Sequence, residues 1–381
     1  MSRKITIKIP QYFTFKNFED AYLKKEFYKK VQWEESSKEY RFDLTGVKWV
    51  DLMELMCLPI SSDYIYQKTK CKSEFEFYNP REYRKRRDRK ELIEVFDFIK
   101  NMHFPDLLLS KQLKIRSHIE SLPTQDERRL LPITILHPDQ FIDVYEEIRD
   151  KLDFYYGEWL KEVQIYSFVD RLVFEACENI FEHAYMNTEQ EIHTSRFIAI
   201  RKYGAAKDFD AILKRTKHAV PWIKRIQALY PETDILEIVV ADGGDGIYRT
   251  LGKRHQEEVT KSIREKDSRE PTPLELSEIS CIRWALSTQR STSSTLKLSK
   301  AKKGYGLFLM KMYCVKGWDG CFFIRSGRSR VIYINDVDVP WAMNDKLEFF
   351  PGVQIRMFLP IVNKIEELEE VKKLDDRLGE E

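Results

Sequence analysis

The chain has almost no net charge and few of the residues that build covalent or metal scaffolds. Its 381 residues hold 64 basic and 62 acidic side chains, a net charge of +2. No global field therefore steers it toward nucleic acid or anionic lipid. The cysteines are six, Cys57, Cys71, Cys177, Cys281, Cys314 and Cys321, and none forms a CxxC pair. A chain this long does not depend on a disulfide framework, so they read as reduced thiols with no zinc site. HExxH and HxH spacings are absent, as are zinc-finger patterns. The opening residues, MSRKITIKIP, lack the apolar core of a signal peptide. No apolar run approaches the roughly 18 residues that a membrane span requires. Internal repeats and Gly/Ser linkers are missing too. These absences point to a cytoplasmic protein with no membrane partner.

What is present is ordinary for a globular protein: 43% hydrophobic and 33% charged residues. The length exceeds one typical domain, so two are expected. Residues 1–125 read as an α/β domain. ITIKI alternates as a strand, a second strand pattern covers 40–44, and VKWVD follows the turn at Thr45-Gly46. A helical pattern starts at Leu52, and another carries Leu92, Val95, Phe96 and Ile99. The basic run REYRKRRDRK at 81–90 reads as a solvated helix start, with nucleic-acid contact left open but unsupported. Pro123, Pro132 and Pro138 mark a boundary. Residues 139–362 form the second unit. Helical patterns cover 139–153, 157–186 and 207–229, RFIAIRKYG reads as a strand, and ILEIVVADGGDG is a buried strand ending in a glycine turn. The polar, lysine-rich stretch 248–303 follows, then GYGLFLMKMYCVKG, a glycine turn opening a helix. GCFFIRSG, RVIYIN and VQIRMFLP are the closing strands. Residues 363–381 are a charged amphipathic helix or tail.

Chemistry concentrates in three places. EACENIFEHAY at 175–185 sets Glu175, Glu178, Asn179, Glu182 and His183 at the spacing 0, 3, 4, 7, 8. At 100° per residue these share one helical arc, with Ala176, Cys177, Ile180, Phe181 and Ala184 opposite. Alone, that arc is a solvated helix side. VVADGGDGI delivers Asp242 at the end of a Val/Ile-rich strand, followed by Gly243, Gly244, Asp245 and Gly246. A carboxylate there can accept a hydrogen bond from an exocyclic amine, and the glycines permit close approach. A plain Asp-Gly turn reads the same way. KKGYGLFLMK places Gly304 and Gly306 before a helix, so free N–H groups and the positive helix end would face an anion, with Lys302 and Lys303 adding charge.

In this order the three resemble the boxes of the Bergerat ATP-binding fold shared by gyrase B, MutL, histidine kinases and anti-sigma serine kinases, the GHKL superfamily. EACENIFEHA is similar to its ExxxN box with a following HA, DGGDG to its DxGxG box and GYGL to its GxGL box. The resemblance covers about residues 150–360. It implies an α/β (α+β) chain whose second unit is a two-layer α/β sandwich with a mixed sheet. It implies ATP and Mg²⁺ as cofactors. Asn179 would ligate Mg²⁺, an ion that prefers oxygen and keeps several waters. Glu175 would be the general base orienting water. Asp242 would read the adenine amine, with Gly244 and Gly246 passing against the base and Ile247 beside them. Lys303, Gly304, Tyr305 and Gly306 would line the phosphates, with Leu307 fixing the helix behind. Glu178 and His183 would sit on the phosphate side or behind it, and 248–303 would be a lid.

The chain also departs from that pattern. The stretch between Asn179 and Asp242 is longer than in a minimal histidine kinase, which makes 207–229 an insertion. Gly352-Val353 stands where many members have Gly-Thr, and Arg290, Ser291 and Thr292 are candidates for the missing phosphate contact. FDLTGVKWVDLMELMCLP resembles a STAS domain, although Asp51 is followed by Leu52 and Met53 rather than a phosphoacceptor; any α/β strand-helix unit reads the same way. His118 in SHIESLP lacks the flanking residues of a sensor-kinase histidine and reads as structural. The expected function is that of a Mg-ATP-binding protein that hydrolyses ATP as a conformational switch in signalling or bacterial defence. It would act with a protein partner or as a homodimer. The alternative is a protein serine kinase or anti-sigma-like partner-switching regulator.

Overall fold

The computed structural model describes residues 4–33, 38–78, 88–110, 114–116, 130–135, 141–183, 195–204, 228–287, 305–334, 336–362 and 365–380. The strands in chain order are β1 (Lys4–Lys8), β2 (Tyr12–Phe13), β3 (Glu39–Asp43), β4 (Trp49–Val50), β5 (Ser73–Glu76), β6 (Lys114–Arg116), β7 (Leu130–Ile135), β8 (Arg196–Tyr203), β9 (Ile235–Asp242), β10 (Cys321–Gly327), β11 (Ser329–Ile334), β12 (Ala342–Asn344) and β13 (Phe350–Pro360). They form a four-stranded sheet, β1-β3-β5-β6, a seven-stranded sheet, β12-β11-β10-β13-β9-β8-β7, and a short β2-β4 pair.

The fold is mixed α/β, with parallel and antiparallel pairing kept in separate sheets. Strands β1, β3, β5 and β6 pair in parallel. Each crossover is helical: segment 15–30, then the Leu52–Thr69 helix, then Arg89–Asn101 and Phe104–Ser110. Parallel neighbours need such long connections. Every described pairing in the seven-stranded sheet is antiparallel, where one mixed sheet was expected. Hairpins explain part of this, since Cys321–Gly327 turns directly into Ser329–Ile334. β7 falls inside the proline-marked stretch read as a boundary, yet it is the outer strand of this sheet beside β8.

Strand alternation divides the large sheet into two buried faces. On β8 and β9 the even positions, Ile198, Ile200, Leu236, Ile238 and Val240, pack toward the Tyr166–His183 helix, here the front helix. The helices Phe141–Leu152, Ile247–Asp267, Glu278–Ala285 and Gly306–Met312 share that front layer. The odd positions, Phe197, Ala199, Val239 and Ala241, join a core with Ile7, Phe13, Tyr40, Phe42 and Leu55 from the N-terminal third. The Leu52–Thr69 helix, here the back helix, lies in this layer. The N-terminal third therefore packs on the back face of the large sheet and shares a core with it, while the helices of the second unit cover the front face.

The back layer also buries charge. Glu237, in the middle of β9, accepts hydrogen bonds from Arg356 of β13 and from the Tyr203 hydroxyl. Arg356 also faces Asp51, just before the back helix, and Glu54 in its first turn, each at 3.8 Å. Nearby, Arg325 pairs with Glu19. Burial pulls Arg356 down, but the carboxylates facing it, Glu237 first and then Asp51, more than offset it, so its guanidinium stays charged.

Segment 248–287 contains two helices, Ile247–Asp267 and Glu278–Ala285, packed against each other. The terminal charged segment is helical over Ile365–Glu380, with Leu368 and Val371 buried against the front layer. His118, Arg290, Ser291, Thr292, Lys302, Lys303, Gly304, nearly all of the basic run and nearly all of 207–229 lie outside the described residues. Among the described residues no helix is long and apolar enough to cross a membrane.

Candidate functional site

The polar arc of the front helix does not simply face water. Glu175 is only 4% exposed, and its Oε1 pairs with Arg171 Nη2 at 2.5 Å, one turn earlier. Asn179 is half-buried, and its Nδ2 donates to the Glu175 carbonyl at 2.7 Å. That bond leaves Oδ1 as the amide's acceptor. Glu178 is also half-buried, while the side chains of Glu182 and His183 lie outside the described residues. The apolar arc behaves as its periodicity suggests: Ala176, Cys177 and Ile180 are buried in the front core.

The GYGL motif meets this helix directly. Gly306 opens the Gly306–Met312 helix, which continues as a wider turn over Tyr313–Gly317. A Cβ on Gly306 would overlap the Asn179 amide and come within 3.0 Å of Glu175 Oε2. Only glycine lets the backbone sit there. Tyr305 is buried and Leu307 packs on the front core behind it. The first and third motifs, far apart in sequence, thus meet at Glu175 and Asn179.

The DGGDG turn is built from long-range contacts. Asp242, 4% exposed, closes β9. Its Oδ1 accepts from Gly244 N at 2.8 Å and its Oδ2 from Val353 N at 3.3 Å. Burial pushes its carboxyl up to about 6, opposed by the Gly244 N–H, Arg196 and the Val353 N–H, with Asp245 pushing further upward. Gly352, at φ +75°, has no room for a side chain, since a Cβ would collide with the Asp242 carbonyl and approach Oδ1 to 2.6 Å. Gly246, at φ +78°, sits under Ser326 and Gly352 in the same way. Ser326 Oγ accepts from Ile247 N at 2.9 Å, which pins the buried Ile247 at the start of the next helix. Position 242 continues the even series of β9, so its carboxylate lies on the face that the front helix covers. All three motifs therefore share one side of the sheet.

Behind the turn stands the back helix. Asp63 Oδ2 accepts from Ser195 N at 2.9 Å and from the Ser195 hydroxyl. Ser195 O in turn accepts from Gly243 N at 2.9 Å. A Cβ on Gly243 would lie 3.3 Å from Ile60 Cγ2. The N-terminal third thus touches the turn through Ile60 and, by way of Ser195, through Asp63.

Scans against protein-family models, curated proteins and solved structures return no match.

Sequence reasoning missed Arg171, Arg196, Ser195, Asp63 and Ser326. Arg171 was findable, since it lies four residues before Glu175 and shares its helix face. Gly352 and Val353 were noticed only for the hydroxyl they lack. In the structure the glycine gives Asp242 its space and the valine N–H binds its carboxylate. Arg196, Ser195 and Asp63 had no local signal, because strand pairing and layer packing bring them in. Among the described residues no group of three or more His, Cys, Asp or Glu could hold a metal ion. A magnesium held by one amide oxygen, phosphates and water needs no such group.

Proposed function

We propose that this chain binds Mg-ATP between the front helix and the DGGDG turn and hydrolyses it as a conformational switch. The observation that carries the reading is the seat of Gly306 on Asn179 and Glu175. A glycine at a helix start, packed on an amide and a buried carboxylate, brings the GYGL turn, whose N–H groups would face phosphates, against the two side chains that would process them. The residues present fit the group. Asn179 offers its Oδ1 for the metal, and Asp242 offers acceptor lone pairs beside two positive-φ glycines. Bound magnesium would neutralise phosphate charge.

The chain's own residues do the rest. Asp242 accepts a hydrogen bond from the exocyclic amine of the base. Asn179 orients the phosphate end. Glu175 holds a water and takes its proton at Oε2, while Arg171 keeps Oε1 in place. The Asp63–Ser195–Gly243 connection supports the switch, because movement of the turn on nucleotide binding pulls on the back helix. A partner protein or second copy would read that movement. The same site could instead pass the phosphoryl group to a protein serine, as in the kinase alternative.

Titration calorimetry with Mg-ATP tests the reading. Wild type is expected to bind, and Asp242→Asn and Asn179→Ala to lose affinity; an inert wild type refutes it. Glu175→Ala is expected to bind ATP without turning it over. Label from the γ-phosphate released to water supports an ATPase, and label appearing on protein supports the kinase.

A further inference from the structure

Within that reading of the site, we infer that Arg196 is a specificity-determining residue: it stands beside Asp242 and keeps that side chain a charged acceptor for nucleotides whose base carries an exocyclic amine.

The placement follows from strand register. Arg196 and Asp242 are direct partners in the antiparallel β8–β9 pair, where opposite Cβ atoms stand about 4.5–5.5 Å apart. Both occupy even positions, so both side chains lie on the front face with Ile198 and Val240. Arg196 is 4% exposed. Water screens little at such depth, so the guanidinium acts on the adjacent carboxylate, ranking after burial and the Gly244 N–H.

The other charged and titratable groups near Asp242 do not replace it. Asp245 in the turn pushes the wrong way and is paired with Arg249 at 3.6 Å. β13 contributes the Val353 N–H and the neutral Gln354, whose Nε2 donates to the Asp242 carbonyl at 3.4 Å. From the back helix, Asp63 is one residue removed and engaged by Ser195. Among the described residues, Arg196 is thus the cation opposing both burial and Asp245. The chemical consequence concerns hydrogen bonding. An ionised carboxylate only accepts, whereas a protonated one also carries a donor. Hydrogen bonds to the ionised form are roughly twice as strong as those to a neutral acceptor. Selectivity for an amine-bearing base therefore depends on Asp242 staying ionised near neutral pH, and its carboxyl, at about 6, has little margin.

The test compares ATP with purine riboside triphosphate, which has the same ring without the amine. Kd values are measured by calorimetry with Mg²⁺ from pH 5 to pH 8, on wild type, Arg196→Gln and Arg196→Lys. Wild type is expected to prefer ATP at pH 7.5 and to lose most of that preference near pH 5. Arg196→Gln is expected to lose roughly tenfold of the preference at pH 7, about 1.4 kcal/mol, with its pH profile displaced upward. Arg196→Lys is expected to restore most of it. A folded Arg196→Gln with wild-type preference and profile overturns the inference. If that variant does not fold, a wild-type preference that stays flat from pH 5 to pH 8, or a folded Arg196→Lys without preference, overturns it instead. A wild type that binds neither nucleotide refutes the ATP reading itself, which is a separate outcome.

Discussion

Asp242 should cost the protein stability, and the cost should depend on pH in a defined direction. Its folded carboxyl titrates at about 6 against an ordinary 3.8. As pH rises from about 4, the unfolded chain releases this proton while the folded chain holds it until about 6. The folded state therefore binds more protons in that window, and stability falls as pH rises through it. Just over two units at ~1.4 kcal/mol each makes the loss about 3 kcal/mol. Asp242→Asn removes the titration. It also aims an amide NH₂ at one of the two backbone N–H donors, Gly244 or Val353, that the carboxylate receives. That mispairing costs about 1–3 kcal/mol, but equally at every pH. The expected result is that the urea stability of the variant relative to wild type grows by about 3 kcal/mol between pH 4 and pH 7 and then levels off. Other titrating groups are common to both proteins and cancel. A gap that stays flat, or that shrinks as pH rises, would refute the reasoning. The variant should at the same time lose ATP affinity, so the residue that weakens the fold is the one the proposed site requires.

Two further outcomes follow from the same geometry. Gly306→Ala adds a methyl group that overlaps the Asn179 amide and crowds Glu175. Gly306 is the first residue of its helix, so alanine's interior helix propensity offsets little of the steric cost. Thermal melting should therefore fall, and calorimetry on the folded variant should show Mg-ATP affinity reduced at least roughly tenfold; retained affinity would remove Gly306 from the phosphate path. Glu54 on the back helix is fully buried, and its carboxyl is pushed up to about 8 by burial, with Arg356 only partly opposing. The 3.8 Å separation from Arg356 is beyond hydrogen-bond reach, so burial decides and Glu54 is mostly a neutral acid at pH 7. Wild type should then lose several kcal/mol relative to Glu54→Gln as pH rises from about 4.5 to 8, with a plateau above. A plateau reached already by pH 6 would show that Arg356 keeps Glu54 ionised.

Local order was largely readable. The strands ITIKI and RFIAIRKYG and the buried strand ILEIVVAD appear close to where the pattern put them, but the helix expected over 157–186 is broken at 163–165, where Gln164 takes φ +60°, so that the front helix starts at Tyr166. The short strands β2, β5, β6, β7 and β12 were not read. β12 spans three residues and β5 four, too short for periodicity to register, and β7 is interrupted by Pro132. A strand so weakly marked is recognised by the neighbour it pairs with, and pairing is not a local property.

The amino-acid order alone therefore determined the longer elements and the chemical content of the three motifs, because helix phase, turn glycines and side-chain type depend on neighbours a few residues away. Tertiary structure decided what those motifs face. It turned Glu175 from a solvated helix side into a buried carboxylate beneath Gly306. It brought Arg196 and Val353 to Asp242 through strand register, and it placed Asp63 of the N-terminal third behind the same turn through Ser195. The physical reason is that desolvation, charge pairing and backbone donation at a carboxylate are set by groups within a few ångströms in space. Here most of those groups come from distant parts of the chain.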